Sequence, residues 1–293
     1  MECVNEEAQY AQFIRIEQLY EWERLQEAIK ETENYIQQYP EDADGYAVLS
    51  KVYLKQGDHK KALHWSLESL KKDPENEIAW EFRVRTLYTA GKYKETMTAI
   101  QEALTLFPDD AFYYFLKGNI YNKNGEYEEA KESFLIALKL EPSNALYLAS
   151  YSYVESILGN QEIALQAEKQ ALQLDSESST VFLYVAWAAD QRGDYAQALS
   201  YLENAVRLEP NNQQLRVEYL EILQKQFKVY QWLLVPSRML NKVKPAMVFL
   251  IWLVAWMLFK PLVVVFIILY VAAHWITKMI VNVKVFGRLF VKV

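Results

Sequence analysis

The sequence predicts an all-α fold: a solenoid of stacked helix-turn-helix units followed by a C-terminal apolar helical hairpin. Three observations predict it. Glycines recur every 34 residues, at Gly57, Gly91, Gly125, Gly159 and Gly193. Small residues keep phase with them, five places on (Ala62, Thr96, Ala130, Ala164, Ala198) and twelve places on (Ser69, Ala103, Ala137, Ala171, Ala205). Near the end come two charge-free runs, 245–259 and 261–277, parted by Lys260.

A period of 34 is that of helix pairs stacked so that each contacts only its neighbours. Each register has a separate physical job. Glycine ends the first helix of a pair in a left-handed turn, and small residues let helices approach closely. Pro74, Pro108, Pro142 and Pro210, seventeen places after their glycines, stop the second helix, with Ser176 the exception.

The third unit carries Tyr114, Gly118, Tyr121, Gly125, Tyr127, Ala130, Phe134, Ala137 and Pro142. On these residues the chain resembles the tetratricopeptide repeat (TPR) proteins. Units 43–76, 77–110, 111–144, 145–178 and 179–212 all fit, covering 170 of 293 residues. The fourth fits worst, with Glu155, Gln161, Glu168 and Ser176 where that family favours other types. The resemblance implies a right-handed superhelix whose concave wall, built from the first helix of each pair, binds protein or peptide. Carried over by unit position, it implies a groove lined by Lys51, Leu54, Lys55, Arg85, Tyr88, Phe112, Phe115, Asn119, Asn122, Lys123, Leu146, Tyr153, Ile157, Leu183 and Trp187. Aromatics and Arg most often carry interface energy, so the expected ligand is a peptide or helix with apolar anchors. The competing reading is that these aromatics fill space against the next repeat. Relatives that clamp the acidic tails of heat-shock chaperones place Lys and Asn at positions 5 and 9 of a unit. None of the pairs here matches: Ala47 with Lys51, Glu81 with Arg85, Phe115 with Asn119, Ala149 with Tyr153, Leu183 with Trp187.

Taken in order, residues 1–8 form a polar tail and 9–42 a degenerate capping repeat. There Ala28 and Pro40 keep phase, Glu23 replaces the glycine, and Glu17, Glu21, Arg24 and Glu27 face water. After the five units, 213–227 reads as a solvating helix, with Leu215, Leu220, Leu223 and Phe227 beside Arg216, Glu218, Glu221, Gln224 and Lys225. The linker 228–244 mixes Tyr230 and Trp232 with Arg238, Lys242 and Lys244, a headgroup-level composition. The hairpin occupies 245–281. Its runs are about 22 and 26 Å as helices, each slightly short of a hydrocarbon core of roughly 30 Å. A single helix of both would be about 50 Å long, with a lysine and a proline at its middle. A turn at Lys260 and Pro261 resolves this, and Lys244 and Lys278 can snorkel. A buried hairpin in a soluble core, or a first arm that enters and leaves one leaflet, are the alternatives. Residues 282–293 form a basic interfacial tail or a short strand.

Charge divides along the same boundary. Residues 228–293 carry +9 and the remainder −16, giving −7 overall. The large acidic region disfavours nucleic acid, whereas the basic apolar end suits an anionic membrane face. Basic residues flank the hairpin on both sides, so the repeats are expected in the cytoplasm. Cys3 is the only cysteine, which excludes an intrachain disulfide and a cysteine metal cluster within one chain. The N-terminus lacks the apolar core of a secretory signal. His59, His64 and His274 lack metal spacing, and no phosphate loop, GxSxG or HExxH occurs. His274, beside Trp275, reads as interfacial. No cofactor and no enzymatic activity are expected. The expected function is a membrane-anchored scaffold. Two alternatives stay open: a subunit of a larger membrane transport or assembly machine that recognises clients, and an enzyme with an unrecognised site in the membrane half.

Overall fold

The computed structural model describes residues 2–228, 230–231 and 245–286, and among them the regular structure is helical throughout. The chain divides into two compact units, Met1–Glu126 and Tyr127–Val293. The first holds α1 (Glu2–Glu21), α2 (Leu25–Gln38), α3 (Ala43–Gln56), α4 (His59–Lys72), α5 (Glu77–Thr89), α6 (Tyr93–Leu106) and α7 (Ala111–Asn124). The second holds α8 (Tyr127–Leu140), α9 (Ala145–Leu158), α10 (Gln161–Leu174), α11 (Ser179–Arg192), α12 (Tyr195–Leu208), α13 (Gln213–Lys225) and α14 (Pro245–Phe286). These are the stacked helix pairs of a tetratricopeptide-type solenoid.

The registers do what their chemistry requires. All five ladder glycines have positive φ, between 73° and 88°, where a Cβ would be strained. All ten in-phase small residues have 0% exposure, so a larger side chain at any of them would force the paired helices apart. A further register of the same period sets where each pair begins. Asp42, Asn76, Asp110, Asn144, Ser178 and Asn212 stand immediately before α3, α5, α7, α9, α11 and α13, and each accepts a hydrogen bond from a first-turn N–H. That satisfies a donor the helix leaves open.

The degenerate first repeat keeps the backbone of the others. Glu23 sits one period before Gly57 and takes φ 57°, the one positive-φ residue other than glycine among the described residues. The left-handed turn is therefore imposed by packing, against the preference of the side chain. The helix α1 begins at Glu2, so from there on the stretch 1–8 continues the capping repeat's first helix and is not a separate tail.

Two of the four misfits of the fourth repeat, Glu155 and Glu168, are members of buried ion pairs. Glu155, fully buried on α9, lies 2.9 Å from Lys131 Nζ and accepts from Asn160 Nδ2 at 2.5 Å. Glu168, buried on α10, is 2.5 Å from Arg192 and accepts from the Tyr201 hydroxyl at 2.8 Å. Carboxylates replace the usual residue types there because neighbouring units supply cations and donors.

Helical backbone runs from Pro245 to Phe286 with Pro261 inside it, yet the run is not straight. The rings of Trp252 and Phe266 have centroids 6.5 Å apart. Fourteen residues of straight helix would separate them by about 21 Å, so the chain folds back between them. This is the expected hairpin, with its arms joined by a bend in place of a loop. Within the second arm, Val263–Val285 is 23 residues long and apolar enough to cross a membrane, and Met247–Leu258 is a shorter apolar stretch. Large apolar side chains, including Phe249, Met257, Leu258 and Ile268, are exposed along both. Linker residues 232–244 and tail residues 287–293 lie outside the described residues.

Candidate functional site

In the first unit, α1, α3 and α5, with the start of α4, line an open pocket of about 560 Å³ formed by Tyr20, Glu21, Lys51, Leu54, Lys55, His59, Phe82, Arg85 and Thr89. Lys51 and Lys55 both place their ammonium groups over the Tyr20 ring, each 4.3 Å from its centroid. Lys51 Nζ is also 2.6 Å from Glu17, which corrects the expectation that Glu17 faces water. The capping repeat turns this residue toward α3. Lys55 donates to the Tyr20 carbonyl at 3.2 Å and lies 3.9 Å from Glu23. Burial, then the Glu21 and Glu17 carboxylates, raise the Tyr20 phenol above its ordinary pKa.

Arg85 stacks on Phe112 at 4.6 Å and bonds to Glu81 at 2.5 Å, while its Nε–H is buried with no partner among the described residues. Three cations thus face Glu17, Glu21, Glu23 and Glu81, and the pocket has no surplus positive charge to attract an acidic ligand. What remains uncommitted is aromatic and aliphatic surface, chiefly Phe82 and Leu54, and one arginine donor.

Other predicted groove residues divide by burial. Tyr88 meets Tyr93 edge-on at 5.8 Å, Lys123 lies 4.7 Å over the same ring, and Asn122 is half-buried. Phe115 and Asn119 are only 8% and 6% exposed. They are placed as packing residues of α7, because positions 5 and 9 of this unit turn inward beside Leu116 and Ile120.

In the second unit, Trp187 of α11 packs against Tyr153 at 5.8 Å and Tyr184 at 5.2 Å. On α13, Lys225 bridges Asp190 at 2.8 Å and Glu221 at 3.1 Å. Burial raises the Glu218 carboxyl, only partly offset by the Trp187 donor. Burial pushes the Tyr153 phenol up to about 12. Burial by itself would lower Lys225, but Asp190 and Glu221 outweigh it and raise the ammonium. Leu183 is 7% exposed and belongs to the core, whereas Leu146 and Ile157 are half-buried.

Tyr20 and Phe82 are the residues that sequence reasoning missed. Tyr20 lies one period before Leu54, so extending the groove register back into the degenerate repeat would have found it. Phe82 lies outside that register. Among the described residues, no group of three or more His, Cys, Asp or Glu side chains is placed to hold a metal.

Comparison with known proteins agrees with this architecture. Family models described as tetratricopeptide repeat match residues 111–144 and 185–212, and a model described as anaphase-promoting complex, cyclosome, subunit 3 matches 21–103. No curated protein matches the chain. Among solved structures, PilF of Pseudomonas aeruginosa is similar, with 21% identity, TM-score 0.60, and coverage of 74% of this chain and 96% of that one. PilW, titled a widely conserved type IV pilus biogenesis factor, has 16% identity, TM-score 0.59, and coverage of 72% and 97%. A chain of the APC/C hetero-tetramer Cut9-Hcn1 has 16% identity, TM-score 0.60, and coverage of 70% of this chain and 41% of that one. At these identities the likeness is one of fold.

Proposed function

We infer that this protein, a chain of tetratricopeptide repeats, is a scaffold that grips a protein partner through aromatic faces of its first-of-pair helices while the hairpin 245–281 anchors it in a lipid bilayer. The observation that carries the partner half is the state of the charges. Cations in the first-unit pocket already face intramolecular carboxylates, so binding energy must come from ring faces and apolar anchors, with the Arg85 Nε–H fixing one acceptor. A peptide or amphipathic helix meets that requirement. The sixfold N-cap ladder and the buried small residues hold these faces on rigid elements. Nothing in this reading calls for a cofactor or a chemical step, and the protein acts by binding.

The anchor half rests on exposed apolar surface along both arms, with basic residues on either side. Those flanks support a reading in which the repeats lie on the cytoplasmic side. Proximity labelling in living cells tests the partner half. Phe82→Ala with Trp187→Ala should deplete a specific set of labelled proteins, and an unchanged set refutes it. Deleting 245–281 tests the anchor, and a truncated protein that still sediments with membranes refutes that part.

A further inference from the structure

The last helix of the repeat stack is fastened to the middle of the hairpin's second arm. Tyr230, 5% exposed, forms a hydrogen bond with His274 Nδ1 at 3.0 Å, and its ring stacks near Tyr270 at 6.5 Å. Thr277, Val281 and Asn282 continue the buried face of that arm, and α13 contacts α14 directly. Tyr230 is itself held to the repeats. Gln231 donates to the Lys225 carbonyl at 2.8 Å, Gln226 donates to the Tyr195 carbonyl at 3.0 Å, and Lys225 is bridged to Asp190.

His274 is the midpoint of the apolar stretch Val263–Val285. Were that stretch centred in a bilayer, Tyr230 would be drawn to the midplane together with Glu221, Lys225 and Lys228, whose charges do not enter hydrocarbon. The clasp must therefore lie at headgroup depth. Its composition suits that level: Tyr230 stacks near Tyr270, His274 meets its neighbour Trp275 edge-on at 6.5 Å, and Lys278 lies 5.9 Å over the Trp275 ring.

The apolar depth that remains is short. From Pro261 to Tyr270 or His274 the second arm is about 15–20 Å long, and the first arm's Met247–Leu258 is about 18 Å. A hydrocarbon core is roughly 30 Å thick. We propose that the hairpin is a one-leaflet wedge: the Tyr230–His274 clasp stops it at the near headgroups, and the Lys260–Pro261 bend stays inside the bilayer without reaching the far surface. Laying the arms obliquely draws the Lys260 ammonium back toward the near headgroups. This inference rests on the membrane-anchor reading.

The test uses the full chain with Cys3→Ser and Lys260→Cys, added from detergent to preformed vesicles of phosphatidylcholine and phosphatidylglycerol. A membrane-impermeant maleimide is trapped in the vesicle lumen. The wedge predicts no labelling of position 260 from the lumen, and strongest quenching of a fluorophore there by nitroxides in the outer leaflet. Lumenal labelling overturns the one-leaflet inference and leaves the anchor standing. Protein that fails to float with the vesicles overturns the anchor itself. A second variant guards against an altered bend: in a Cys3→Ser background, Tyr230→Ala with His274→Leu releases the clasp, and nitroxide quenching of Trp252 and Trp256 should then shift deeper. An unchanged depth shows that the clasp does not set insertion and overturns the proposal.

Discussion

Arg192 of α11 and Glu168 of α10 form an ion pair at 2.5 Å with side chains only 7% and 4% exposed. Arg192 also donates to Ser156 Oγ at 3.0 Å, and the Tyr201 hydroxyl donates to the other Glu168 oxygen. Four helices of the second unit thus converge on one buried carboxylate.

Removing one member leaves an uncompensated buried charge. Arg192→Met is expected to destabilise the full chain by about 3–5 kcal/mol, while Arg192→Met with Glu168→Leu recovers most of that loss. Urea unfolding in mild detergent, followed by circular dichroism, measures both. A single variant costing under about 1 kcal/mol would place the pair among surface ion pairs.

Glu155 gives a pH dependence of definite sign. Burial raises its carboxyl, but its polar neighbours Tyr151, Asn160 and Lys131 outweigh burial, and the net shift is downward. A depressed folded-state pKa contributes stability that is complete above the unfolded value near 4.3 and is lost as pH falls through the folded one. Between about pH 5 and 3, the wild-type melting temperature should fall more steeply than that of Glu155→Gln. Parallel slopes would contradict the assignment.

Glu23 holds a left-handed backbone that glycine adopts without strain. Glu23→Gly is expected to raise stability by about 1 kcal/mol, reduced by glycine's larger unfolded-state entropy. Thermal unfolding of the full chain checks the sign, and a loss would show that the Lys55–Glu23 contact at 3.9 Å matters more than the turn.

Asn144 accepts from the N–H groups of both Leu146 and Tyr147, at 3.1 and 3.2 Å. Ser178 accepts a single, longer bond of 3.3 Å from Val181. Asn144→Ala should cost about 1 kcal/mol and Ser178→Ala less. Chemical denaturation of the two variants side by side decides the order.

Phe115 and Trp187 are to be separated, although both carry groove-register positions. Phe115→Ala should cost about 3–5 kcal/mol of stability, as expected of a buried ring. Trp187→Ala should spare most of the stability and weaken partner capture. Melting curves together with proximity labelling distinguish them, and equal destabilisation would assign Trp187 to packing as well.

Much of this was legible in the chain. Gly57 and its successors gave the helix pairs, and Ala103 or Ala171 gave the contact between paired helices, because backbone conformation and close packing each admit few residue types. The misfit of Glu155 and Glu168 was visible, but its cause was not, since Lys131 and Arg192 are 24 residues from their partners and belong to neighbouring units. The inward turn of Phe115 was hidden for a related reason: a helical stripe names a face, and only the neighbouring helices decide whether that face is covered.

By itself the sequence determined the repeats, with their glycine turns and proline stops, because these depend on local backbone chemistry repeated at one spacing, and it showed an apolar C-terminal segment by composition. Tertiary structure alone decided which aromatics stay reachable, that Glu23 is forced into a glycine's conformation, and that Tyr230 meets His274, 44 residues away. Those outcomes are set by which surfaces meet across the stack, and the energy of such contacts belongs to pairs of distant residues that no single stretch of chain contains.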